Sequence, residues 1–147
     1  MKNVLLSLVL LAILILTGCN KKEIITENNG SDKVFSVNVI INSKKYILNL
    51  EDNKTAQEFI NLLPKEFKMK ELNGNEKYAY LDSSLYTNEY NPTQINKGDV
   101  MLFGNNCLVI FYKSFTTSYS YTKIGHIDNL PDLENADVNI KFELMRN

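Results

Sequence analysis

The 147-residue sequence has one histidine, two cysteines and six glycines, and its charges nearly cancel at −1. Each shortage excludes something. A metal site needs several His, Cys, Asp or Glu ligands in a regular spacing, and no such pattern surrounds the sole histidine, His126. A Ser-His-Asp arrangement can be assembled on paper from His126, Asp128 and some serine, but no nucleophile elbow is present. Nor is there a glycine-rich loop to cradle a phosphate, so no cofactor is expected. Without a basic excess the chain lacks the electrostatic footprint of a nucleic-acid binder. The apolar run from Val4 to Leu16, broken only by Ser7, is too short for a spanning helix, which needs about 20 apolar residues.

That run follows Lys2 and ends in Leu16-Thr17-Gly18-Cys19. Its length suits the apolar region of a signal peptide. Its last four residues resemble a bacterial lipobox: Leu, a variable residue, Ala or Gly, then Cys. The resemblance implies that residues 1–18 are a lipoprotein signal peptide and that the Cys19 sulfur carries a diacylglycerol. Two acyl chains, at about 0.8 kcal/mol per buried CH₂, anchor a protein stably where one does not. The expected address is the bacterial cell envelope, outside the cytoplasm, on a membrane through the lipid. The alternative is an uncleaved anchor or a buried helix. If Cys19 is lipidated, Cys107 has no disulfide partner; set in an apolar run without a basic neighbour, it reads as a small core residue rather than a nucleophile. Residues 19–33, the lipidated Cys and the polar stretch Asn20 to Lys33, read as a flexible tether. Residues 34–147 form the folded domain.

Val37, Val39 and Ile41 recur every second residue among polar neighbours, Ile40 excepted, and Tyr46, Leu48 and Leu50 do the same beside Ile47, with Asn42-Ser43 between the two runs. This is the period-two pattern of a strand hairpin. Thr55 and Glu58 match a capping box. Ala56, Phe59, Ile60 and Leu63 form a helical stripe that Pro64 stops. So short a helix must pack on a sheet or cover a barrel mouth. Phe67 to Leu72 and Glu76 to Leu81 flank Asn73-Gly74, a type I′ hairpin signal. Leu81 to Lys97 reads as a surface loop. Val100 to Phe103 and Cys107 to Tyr112 flank Gly104-Asn105-Asn106. The second of these runs does not alternate, which predicts a central strand covered on both faces, one face filling the core and the other meeting a helix. Thr122 to Ile127 is a further strand, Pro131 to Glu134 a helical turn, and Val138 to Leu144 a clearly alternating last strand. About eight antiparallel strands, the first and last both amphipathic, predict a mainly β closed barrel with one or two short helices.

Several motifs in one order carry a resemblance over Val34 to Leu144: Leu62-Leu63-Pro64, Glu71 to Tyr78 (ELNGNEKY), Gly98 to Leu102 (GDVML), Asn106 to Phe115 (NCLVIFYKSF), Ser118 to Thr122 (SYSYT) and Ile124-Gly125. Together they resemble the bacterial cyclophilin-like domain family of small uncharacterised proteins. The resemblance implies a closed eight-stranded cyclophilin-like β-barrel with helical caps. It does not imply isomerase activity. True cyclophilins use a groove with an Arg beside a Phe-x-x-Gln-type segment, a Trp and a His; this chain has no Trp, and Arg146 is its only Arg. It also departs from its relatives at His126, which follows Gly125 where Arg is common.

Two stretches attract a functional reading. The ELNGNEKY hairpin offers Asn73, Asn75, Glu76 and Tyr78, with Glu76 as acid or base and Asn73 as an orienting amide; a good turn with solvated flanks explains Asn73 and Gly74 equally. Tyr112, Phe115, Ser118, Tyr119 and Tyr121 offer apolar area with hydroxyls, suited to a peptide or small ligand; alternatively they pack on a sheet face. Together these nine residues are the expected ligand site, in a cleft shared by the two stretches. A binding module for a peptide or small polar ligand is the favoured reading. An enzyme using Glu76, or a purely structural domain, is the alternative, since no complete catalytic set can be named.

Overall fold

The computed structural model describes residues 35–145; the expected signal peptide, Cys19, the expected tether and Arg146 lie outside them. Ten strands and one helix follow in order: β1 (Ser36–Ile41), β2 (Lys44–Leu50), α1 (Lys54–Ile60), β3 (Lys65–Leu72), β4 (Glu76–Tyr80), β5 (Gln94–Ile95), β6 (Asp99–Phe103), β7 (Cys107–Phe111), β8 (Phe115–Thr116), β9 (Thr122–Ile127) and β10 (Val138–Leu144). Eight of them close an antiparallel barrel in the order β1-β10-β3-β4-β7-β6-β9-β2, while β5 and β8 form a separate pair. The first and last strands seal the ring, Val37 opposite Leu144 through Ile41 opposite Ile140. The expected mainly β, closed eight-stranded barrel is the observed fold.

Local chemistry sets the turns. Asn42 and Ser43 both take positive φ, as do Asn73 and Gly74, the geometry of a type I′ hairpin. Gly125 is needed for a different reason. It faces Leu50 of β2 and Val100 of β6, where the β6–β9 register shifts, and a Cβ there would lie 2.2 Å from the Asn49 carbonyl oxygen. Only a residue without a side chain lets β2 come so close to β9.

The inward side chains form one buried cluster, with Val37, Val39, Leu48, Met69, Leu108, Ile110 and Phe142 among its members. Phe59 of α1 joins them: its ring meets Phe142 edge to face at 5.3 Å, and Phe67 meets Phe142 at 6.0 Å. Helix α1 therefore plugs one mouth of the barrel. Its start differs from the capping-box expectation. Asn53 is the N-cap, its side chain accepting from Ala56 N at 2.8 Å. Thr55 and Glu58 are engaged elsewhere: the Thr55 hydroxyl donates to the Tyr86 carbonyl, and Glu58 accepts from Tyr86 N. The same two residues thus hold the 81–93 loop against the helix.

The split of β7 is as expected on the inside and different on the outside. Leu108 and Ile110 point into the barrel with Tyr112. Cys107, Val109 and Phe111 form an outer cluster with Ile95, Met101 and Tyr121. Among the described residues no helix covers that outer face; Ile95 of β5, Phe115 of β8 and Tyr121 do so instead. Pro131 to Glu134 also depart from expectation and form no helical turn. The 131–137 segment is instead held by the barrel's other mouth. There Lys77, fully buried, ion-pairs with Glu71 and donates to the carbonyls of Glu134 (2.6 Å) and Ala136 (2.7 Å). The β3–β10 register separates the two mouths: Phe142 lies opposite Lys65, at the start of β3, whereas Glu71 lies near its end.

Candidate functional site

Strand parity builds the candidate site. On β4, Glu76, Tyr78 and Tyr80 alternate with inward Lys77 and Ala79, and so face outward. They lie opposite Phe111, Val109 and Cys107 of β7. Next to β7 lies β6, whose Phe103 also faces outward. Across this three-stranded wall comes the SYSYT segment, tied down by a Tyr90–Tyr121 backbone bridge with both bonds at 3.0 Å and by Asn91 Nδ2 donating to the Ser118 carbonyl. The result is a cavity of about 330 Å³, floored by Cys107 and Val109 and walled by Tyr78 and Tyr80 on one side and Phe103, Tyr119 and Tyr121 on the other. Leu72, Asn73 and Glu76 close one end. Its size falls within the range of small-molecule sites. A larger concavity of about 490 Å³, beside Ile40, Glu66 and Lys68, has no aromatic wall.

The structure brings Asn73, Glu76, Tyr78, Tyr119 and Tyr121 together in this cavity. It places the other four expected residues elsewhere. Tyr112 shares the parity of Leu108 and Ile110 and points inward, its hydroxyl donating to Glu71 at 2.9 Å. Phe115 packs on Phe111 at 5.6 Å in the outer cluster and does not line the cavity. Ser118 offers its carbonyl to Asn91, and the Asn75 carbonyl accepts from Tyr112 N. Leu72, Tyr80, Phe103, Cys107 and Val109 also line the cavity and were not foreseen. The alternation of β4 and β7 contained the signal for Tyr80 and Cys107.

The electrostatics of the cavity centre on Glu76. It is half-buried, and among the described residues it has neither an ion-pair nor a hydrogen-bond partner for its carboxylate. Burial, and then the nearby Glu71 charge, push its carboxyl above the usual 4.5. Burial and the Glu76 charge push the Cys107 thiol up from its usual 9.0, away from the thiolate a nucleophile needs. A stability prediction follows from the raised Glu76 pKa. At neutral pH the ionised carboxylate is penalised in the folded state only, and below pH 4.5 it is neutral in both states. Glu76→Gln should therefore raise the melting temperature at pH 7, and the gain should shrink as pH falls through the folded pKa. A gain that is absent at pH 7, or that grows on acidification, would contradict this.

His126 lies apart from the cavity. Its Nδ1 is 3.0 Å from Oδ1 of buried Asp99, whose Oδ2 accepts from Asn96 N, while Asp128 is 3.9 Å from Nε2. Its close carboxylate partner is thus Asp99 rather than Asp128. Among the described residues no serine hydroxyl is bonded to it, and no group of three or more His, Cys, Asp or Glu residues could hold a metal ion.

One protein family matches the chain, over residues 39–143, and its description is Cyclophilin-like family. No curated protein and no solved structure matches it.

Proposed function

The chain belongs to the cyclophilin-like family, and from that premise we propose that it is a binding module for a peptide or small polar ligand, held at a membrane of the bacterial cell envelope by a lipid on Cys19. The observation that carries the binding reading is the convergence of Glu76 with Tyr78, Tyr119 and Tyr121 on one cavity outside the barrel. The tyrosines supply apolar area and hydroxyls, and the carboxylate supplies orientation. The lipobox-like Leu16-Thr17-Gly18-Cys19 supports the anchor. The missing Trp and the single Arg, Arg146, favour a domain without ordinary peptidyl-prolyl isomerase activity. A proline-isomerisation assay with turnover typical of true cyclophilins would refute that part.

A thermal-shift screen of peptides and metabolites tests the binding reading, because a ligand at 100 Kd should add about 2.7 kcal/mol of stability. Hits should vanish in Tyr80→Ala and Tyr119→Ala, whose side chains are exposed enough to be cut back without unfolding the barrel. Hits indifferent to both place the site elsewhere. Cys19→Ser should release the chain from membranes or block its processing; unchanged mass and fractionation would sink the anchor. One observation favours a second reading, acid–base catalysis by Glu76: its carboxyl is shifted toward neutral pH, and its charge is felt by the Cys107 thiol in the same cavity. The raised Cys107 pKa counts against the thiol as a nucleophile partner in that chemistry.

A further inference from the structure

Resting on the binding reading above, we propose that the cavity takes an organic cation, an ammonium or guanidinium group on an apolar stem, with Glu76 as its counter-ion and the rings around it as a cage. Three observations converge. First, the walls are aromatic. Tyr78 and Tyr80 meet at 81° with centroids 6.0 Å apart, and Phe103 meets Tyr119 at 88° and 6.0 Å. The π face of such a ring attracts a cation and repels an anion.

Second, among the described residues the one charge lining the cavity is the Glu76 carboxylate, and it has no partner among them. Lys54, Lys65, Lys77, Lys97, Lys123 and Lys141 each pair with a carboxylate. None of them pairs with Glu76. Lys70, opposite Tyr78 in the β3–β4 register, makes no ion pair with Glu76 either. Third, among the described residues no Lys or Arg lines the cavity, so none of them occupies the cage with the matching charge. A half-buried carboxylate without a partner is unfavourable, and an entering cation is the group that removes the penalty. A neutral ligand would stack on the rings and leave it in place, whereas an anion would increase it.

Two sources offer this chemistry: a free quaternary amine and a basic side chain within a peptide. Full-length protein is titrated at constant ionic strength with tetramethylammonium, N-acetyl-lysine amide, N-acetyl-arginine amide and the neutral isostere 2,2-dimethylpropan-1-ol. Binding is read from NMR shifts of the Tyr80 and Tyr119 rings. The expected result is that at least one cation binds roughly tenfold or more tightly than the isostere, as a charge-assisted contact implies. Glu76→Gln should abolish that preference and Glu76→Asp should retain most of it. Tightest binding by tetramethylammonium assigns the free amine, and tightest binding by a capped amino acid assigns the peptide side chain. Equal binding of the isostere, or a preference that survives Glu76→Gln in a protein with its wild-type amide spectrum, overturns the cation while leaving the cavity a binding site. If no probe shifts either ring, the cation is overturned and the thermal-shift screen decides the binding reading separately.

Discussion

Lys77→Met is expected to destabilise the domain by about 3–5 kcal/mol, the cost of removing one partner from a buried ion pair. The lysine is fully buried. Its three N–H donors are taken by Glu71 and the carbonyls of Glu134 and Ala136, and its ammonium lies 4.8 Å from the Tyr112 ring centroid. Methionine keeps much of the stem and leaves the Glu71 carboxylate without a counter-charge. Adding Glu71→Gln should recover much of the loss, because glutamine is neutral and still accepts from Tyr112 and Gly74 N. Urea denaturation of the two single variants and the double variant measures the coupling. A loss below about 1 kcal/mol for Lys77→Met would mean that the ammonium is not desolvated as the structure places it.

The same pair gives the fold an acid response. Burial pushes Glu71 up, but its bonds to Lys77, Tyr112 and Gly74 N outweigh that and hold its carboxyl below the usual 4.5. Tyr112, buried against it, is pushed up to about 12. A lowered folded pKa means that the Glu71 contribution is fully present above the unfolded value and is lost as pH falls through the folded one. Wild-type protein should therefore lose stability below pH 4.5 faster than Glu71→Gln does.

Phe142→Ala is the second large effect, about 3–5 kcal/mol as for other buried Phe truncations. Phe142 holds α1 through Phe59 and the barrel wall through Phe67. Because the helix is only seven residues long, its stability comes from this packing rather than from its own hydrogen bonds. Chemical denaturation should show the loss, and amide exchange should show α1 deprotected before the strands. A full complement of α1 protection in Phe142→Ala would mean that the helix is held by something else.

How much of this was legible depends on the range of the interaction. Alternation in Val37–Ile41 and Val138–Leu144 marked both sealing strands, and the unbroken apolar run at Cys107 marked the central one. Parity within β7 also put Tyr112 with Leu108 and Ile110, which conflicts with a place for Tyr112 beside Tyr119 and Tyr121. The Asn53 cap lost to a Thr55–Glu58 match because the competing partner, Tyr86, lies about 30 residues away. Nothing in the ELNGNEKY hairpin singles out Lys77 as a buried charge. Its burial requires the 131–137 segment, which no local pattern connects to it. The Asp99–His126 contact likewise needs the β6–β9 pairing.

The closed ring has one more consequence for recognition. Each of its eight strands has a neighbour on both sides, so none offers a full-length free edge for another chain to extend, although the β2–β9 ladder covers only Leu48 to Leu50 and the β3–β4 ladder only Lys70 to Leu72. The β5–β8 pair lies outside the ring but is two residues long in each strand, too short to template one. A peptide at the Glu76 cavity would meet side chains on β4, β6 and β7, so its sequence preference would be written in rings and a charge rather than in a backbone ladder.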